Sequence, residues 1–527
     1  MRRVFGLETE YGLVAHQPLE EGSPDDDHAR AVSNEEVAWR VVDAVRDLLP
    51  SLPDTVGCGA FLSNGSRVYV DGHHLEWATP EVSTPWDLVR CTLAGQRVLE
   101  NALARCGGTG EPAPLLFRSN VDYVTRQSWG CHESIQHRAE PRCLWDLLIP
   151  HLVSRVVFTG AGGFDPRSPG LSFVLSPRAL FLVVPVSRSS TDDHRGIVHS
   201  KHEPLGQGPC KRLHLICGES LCSERAMWLK AATTVLVVAM IDAGVGVGPS
   251  IVLADPVSAL HAIVRDPSGR AKVLLMNGRM ATAFELQRHY LGAAETHAGA
   301  EGMPEWTRTA CAIWRATVDQ LERAPDCAAT MLDWGIKRAL FGRVLARHGL
   351  DWTFAARWTA ALREVMSAFT SSPACPAWPD PEALLTPGIE AFPAAARLRP
   401  ILNAHGFDRE GLGPFLRARR ALFECDIRFG QLGGAGIFDL LDRDGVLTHH
   451  VPGVGGVDCA VAHPPAGGRA RVRGDAIRRL ASREGEFVCD WASIRSRKDD
   501  TFLDLSDPFE QDERWRPFSE YRDGTGG

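Results

Sequence analysis

The run Ser66-Arg67-Val68-Tyr69-Val70-Asp71 alternates strictly, and no other stretch constrains the fold of this chain as tightly. Side chains on a strand point to opposite faces in turn, so Val68 and Val70 must meet a core while Arg67, Tyr69 and Asp71 share the other side. Neighbours on one strand face stand roughly 6.5–7 Å apart. A guanidinium, a phenol and a carboxylate are thereby set in a row. Such a row is either a mixed polar face shown to water or a surface able to span a nucleotide phosphate, a metal ion and a reacting group. Asn64-Gly65 marks a turn just before it, and His74, Glu76 and Thr79 follow it closely.

The opening strand, Val4 to Tyr11, carries a second pattern. Glu8 and Glu10 fall on one face and Leu7, Thr9 and Tyr11 on the other. Two carboxylates side by side repel unless water screens them or a cation lies between them. That leaves a solvated edge or a hard-cation site, since Mg²⁺ prefers carboxylate oxygens. A third acidic cluster, Asn120-Val121-Asp122 with Gly130-Cys131-His132-Glu133, reads as a polar loop, and a fourth combines Glu203, Arg212 and His214. Cys131 beside His132 is no dyad by adjacency alone.

The rest of the chain frames these clusters. Helical periods run over Glu35–Leu49, Pro85–Leu103 and Ala226–Ile241, and helices dominate from Glu305 to Met366. Glu20–Asp27 reads as a solvated acidic loop. A proline-dense passage between Pro373 and Pro393 reads as a linker, and a basic helix is expected over Asp475–Arg483. Runs of helices and antiparallel-type strands without regular βαβ alternation indicate an α+β fold. With 527 residues the chain is too long for one compact core.

Composition narrows the function. A formal net charge of −8 argues against a nucleic-acid surface as the main activity. No apolar run reaches the ~18 residues of a membrane span, and no apolar segment of signal-peptide type follows Arg2-Arg3. The 14 cysteines show no CxxC spacing, which points to reduced thiols and a cytoplasmic location. There is no G-x-x-x-x-G-K-[ST] loop, no G-x-G-x-x-G and no G-x-S-x-G. If ATP binds, arginines and a metal must take the place of a phosphate loop.

Gly6-Leu7-Glu8-Thr9-Glu10-Tyr11-Gly12, Asn64–Asp71, Glu76-Trp77-Ala78-Thr79, Gly130–Glu133 and Arg212-Leu213-His214 together resemble the Pup–protein ligase (proteasome accessory factor A) family. Leu332-Asp333-Trp334, Arg469–Asp475, Asp490-Trp491 and Asp507-Pro508-Phe509 extend the likeness to the tail. The family is related to the depupylase/deamidase and to glutamine synthetase-type carboxylate–amine ligases. The resemblance implies a glutamine synthetase-like catalytic domain with an antiparallel sheet and packed helices over residues 1–455, and a small C-terminal domain over 456–527. It implies Mg²⁺ at Glu8, Tyr69 and Glu76, ATP contacts from Arg67, Thr79 and Trp491, and Asp71 as catalytic base. The implied reaction joins the C-terminal glutamate of a Pup-like modifier to lysines of substrate proteins, marking them for proteasomal degradation. No nucleic acid or membrane takes part.

The related hydrolase carries a long extra loop after the first strand, for which this chain has little room. The Asp71-to-Glu76 spacing, in contrast, is nearer the hydrolase. A modifier-binding pseudoenzyme and a small-molecule γ-glutamyl ligase are further alternatives. Lys201 stands in His199–Leu205 where the family has arginine, losing a bidentate fork.

Overall fold

A computed structural model describes residues 3–14, 33–72, 74–107, 113–188, 194–200, 210–370, 381–385, 395–483 and 485–520. Period-2 alternation builds its main sheet. The strands are β1 (Phe5–Val14), β2 (Ser51–Pro53), β3 (Gly59–Leu62), β4 (Arg67–Asp71), β5 (His74–Ala78), β6 (Leu115–Phe117) and β7 (Cys131–His137). After a separate short ladder of β8 (Gly163–Phe164) and β9 (Phe173–Val174) come β10 (Val184–Ser187), β11 (Gly196–His199) and β12 (Lys211–Leu215). The ten-stranded sheet runs β10-β11-β12-β7-β1-β5-β4-β3-β2, with β6 pairing β1. All its pairings are antiparallel except β10 with β11, which is parallel.

Helices cover one face of this sheet. Asn34–Leu48 opens with a Ser33/Glu36 capping box, which satisfies two of the helix's orphan donors. Together with Pro85–Cys106 it buries Val68, Val70, Leu75 and Trp77. Glu224–Ala243 is apolar enough by composition to cross a membrane, yet nearly all of it is enclosed by protein. It starts at the Ser223 cap, ends at Gly244 in the left-handed region (φ +67°), and packs with Pro141–Ser154 behind β7 and β12.

The tail adds helix Arg469–Leu480 and an antiparallel four-stranded sheet of Phe487–Cys489, Ser493–Ser496, Thr501–Asp504 and Trp515–Pro517. Its core residues Val472, Ile477, Ile494 and Leu503 join Leu52 and Phe61 of the main sheet. A parallel bridge from Asp54 to Cys489 ties the two sheets.

Three expectations change. The tail helix begins at Arg469 instead of Asp475, because Arg469 and Arg473 turn inward to a buried partner. Cys131-His132-Glu133 belongs to β7, not to a loop, since Cys131, Glu133 and Ile135 alternate into the core. Within the proline-dense passage, Pro381–Leu385 forms a short 3-10 helix with Leu384 buried, while 371–380 and 386–394 lie outside the described residues. So do Glu20–Asp27, Lys201 and Glu203.

Candidate active site

Strand register assembles the site from distant segments. Glu10 pairs with Glu76 across β1 and β5, Tyr69 pairs with Glu76 across β4 and β5, and Glu8 pairs with His132 across β1 and β7. All these side chains project from the sheet face opposite the helices. The Tyr69 hydroxyl meets both Glu8 Oε1 and Glu76 Oε2, the latter at 2.5 Å. A phenol carries one proton, so it can donate to only one of these carboxylates at a time.

Electrostatics on this face is unbalanced. Burial raises the Glu76 carboxyl, and the charges of Glu8 and Glu10 push it further up. Burial opposes ionisation at Glu8 as well, but the hydrogen bond and charge of His132, with His214 and Tyr69, hold that carboxyl well below the usual range. His132 lies between the two β1 glutamates, Nδ1 at 3.2 Å from Glu8 and Nε2 at 3.3 Å from Glu10. Burial, then Arg212 and His132, push His214 down to about 2, so its imidazole is neutral, and its Nδ1 accepts from Arg212 Nη2 at 2.9 Å. Donor atoms of Glu8, His132 and His214 lie within 4.8 Å of one another, as do those of Glu10, His74 and Glu76. Crowded carboxylates sharing one hydroxyl proton, with imidazoles alongside, fit a divalent cation.

Arg67 stacks on Tyr69, its Cζ 3.9 Å from the ring centroid. Asp71 ends β4 exposed to solvent, in register with His74. A cavity of about 490 Å³ opens beside this cluster, lined by Glu8, Thr79, Arg212, Arg469, Trp491 and Phe509 among others. Thr79 Oγ1 accepts the Leu7 N–H at 3.0 Å, fixing the start of the cavity wall. Trp491 stands edge-on to Phe61 at 5.0 Å and beneath the Arg473 guanidinium at 4.8 Å. The structure thus groups Glu8, Tyr69 and Glu76, places Glu8, Thr79 and Trp491 around one cavity, and leaves Arg67 and Asp71 off its walls. Cys131 points away, its Sγ 3.4 Å from Thr9 Oγ1 in the core.

Sequence reasoning missed Arg178. It is buried, donates to Ile216 O at 2.9 Å and Ser128 Oγ at 2.9 Å, and reaches within 3.4 Å of His132 Nε2. Gly130 permits this approach, because a Cβ there would stand 2.6 Å from the guanidinium. It also missed Glu81, whose carboxylate takes Arg473 Nη2 at 2.5 Å and Arg469 Nε at similar range, closing the tail onto the sheet. Thr79-Pro80-Glu81 gave no hint of a partner almost four hundred residues away.

The family model described as Pup-ligase protein matches residues 3–362. A curated Pup–protein ligase of Rhodococcus erythropolis (strain PR4 / NBRC 100887) is 31% identical over 509 residues, covering 94% of this chain and 93% of the relative. One of Sanguibacter keddieii is 34% identical over 369 residues, covering 66% of this chain and 76% of the relative. Among solved structures, the Pup ligase PafA in complex with Pup superposes with a TM-score of 0.69 at 22% identity, covering 97% of this chain and 89% of that one. PafA in complex with ADP gives 0.64 at 21% identity, covering 94% of both chains. At those identities the two structures establish the shared fold.

Proposed function

The chain belongs to the Pup-ligase family, and from that premise we propose that it is an ATP-dependent ligase joining the C-terminal glutamate side chain of a Pup-like modifier to substrate lysines. The observation that carries the site assignment is the Glu8–Tyr69–Glu76 cluster, where two carboxylates converge on a hydroxyl with one proton. Glu8, Tyr69 and Glu76 would hold magnesium, which when bound supplies positive charge to the phosphates of ATP. Arg67 adds a guanidinium on the same face. Thr79 and Trp491 lie on the cavity wall, where the indole offers an apolar face for the adenine.

The modifier's glutamate carboxylate attacks the γ-phosphorus, the bond to the β-bridging oxygen breaks, and ADP leaves an acyl phosphate. Phosphoryl transfer asks for positioning and charge stabilisation more than covalent help. A lysine arriving as ammonium then gives one proton to Asp71, attacks the acyl carbon and expels phosphate, which takes the second amine proton and leaves an isopeptide bond. An exposed Asp71 suits this role, because the lysine comes from another protein and must reach the base from solvent. Asp71→Asn is expected to slow isopeptide formation by about 10²–10⁴-fold while nucleotide binding persists. Unchanged ligation by that variant would remove Asp71 from the mechanism. The described cysteines are all unpaired, which fits the reducing cytoplasm we propose as its location. We further place the catalytic domain at 1–455 and the small domain at 456–527.

A further inference from the structure

Arg67 is gripped from one side. Its Nη2 donates to Asp54 Oδ2 at 2.7 Å and approaches Cys58 Sγ at 3.1 Å, while the guanidinium plane covers Tyr69. Nε is buried without a protein partner. Nη2, which both bidentate edges of the guanidinium share, is therefore spent on Asp54, and Nη1 remains as the donor toward an anion.

Asp54 is itself fixed from several directions. Its Oδ1 accepts Gly57 N–H at 2.5 Å and Cys58 N–H at 3.0 Å, and its own N–H donates to Gly59 O at 3.0 Å. The next residue, Thr55, donates to Cys489 O at 3.1 Å, two residues before Trp491. The Asp54 side chain is only 2% exposed, so a buried carboxylate has been placed under a half-buried guanidinium.

We propose that Asp54 is a positioning residue for ATP, holding Arg67 with Nη1 presented to the phosphates and coupling that arginine to the strand that leads into Trp491. The inference rests on the reading of Arg67 as a phosphate contact. A stiff arginine lowers the ordering cost of binding, which is felt in nucleotide affinity and not in the later chemistry.

Asp54→Asn tests this, since the amide keeps an Oδ1 acceptor for the loop and puts an NH₂ group where Arg67 needs an acceptor. In modifier-dependent ADP release, the KM for ATP is expected to rise about tenfold with kcat within about twofold. Arg67→Lys alone should also raise it, and adding Asp54→Asn to that background should change nothing further. A KM for ATP that stays the same or falls in Asp54→Asn overturns the inference, as do independent, multiplying effects. If Arg67→Lys leaves the KM for ATP unchanged, the phosphate role of Arg67 fails and this inference with it. An effect of Arg67→Lys beside a silent Asp54→Asn overturns only the inference. Should Asp54→Asn not fold, calorimetric ADP binding to Asp54→Glu decides in its place: weakened binding supports the positioning role and unchanged binding refutes it.

Discussion

His132 and Glu133 are neighbours on β7 facing opposite ways, and the two sides of the sheet treat charge differently. On the helix-covered side, Glu133 receives both ends of the Arg155 fork, at 2.9 and 2.5 Å. Burial works against the Arg155 charge, yet Glu133 more than restores it and raises its pKa. Lys230 nearby donates to the carbonyls of Cys131 and Glu219, at 3.1 and 3.0 Å. On the other side Glu8, Glu10 and Glu76 crowd around one hydroxyl and one imidazole bridge. A network whose charges close on themselves holds a fold together. One whose charges do not close has been kept for something that arrives from outside.

The sharpest way to break this contrast is to open the closed side. Arg155→Met leaves the Glu133 carboxylate buried without a partner and should cost about 3–5 kcal/mol, read as a lower denaturant midpoint. Loss of ligation by that variant at unchanged stability would show that the two faces do not differ as stated. The converse change is Glu76→Gln on the open side. It should depress ligation by about 10²–10³-fold, as loss of a charge-stabilising group does. Its melting temperature should hold steady or rise, because burial and the charges of Glu8 and Glu10 already disfavour this carboxylate. A large drop in melting temperature would place Glu76 among the structural charges.

A smaller effect separates a third group, the tail clamp. Burial raises the Glu81 carboxyl, but Arg473 and Arg469 outweigh it and hold it at about 2, below the ordinary 4.5. A carboxyl depressed on folding contributes stability that is complete above pH 4.5 and lost as pH falls toward 2. Hydrogen-exchange protection factors over 487–505 should therefore fall between about pH 5 and 3 more than those over 224–243. An equal fall in both segments would deny the clamp a separate role.

The sheet was legible where one face was apolar and the other polar. Val68 and Val70 announced β4 by alternation, and Leu7 and Tyr11 announced β1, because a period of two leaves few other options. The membership of the cluster was read by resemblance, and its shape was not readable at all. Glu76 reaches Tyr69 and Glu10 only through pairing register, a property of strands that meet after folding. Arg178 stayed hidden because it sits on a single 3-10 turn with no periodicity of its own. Arg473 was concealed by composition. In a run of arginines it looks like a solvated basic face, yet it is fully buried.

That buried arginine also orders events in time. Glu81 must wait for Arg469 and Arg473, which follow it by 388 and 392 positions. A ribosome therefore releases the carboxylate face long before the segments that carry Trp491 and Phe509 to the cavity rim. A nascent chain holds the acidic cluster but no closed cavity beside it. That cavity is complete only when the last strands dock, so an interrupted translation product would carry the carboxylates without the wall that faces them.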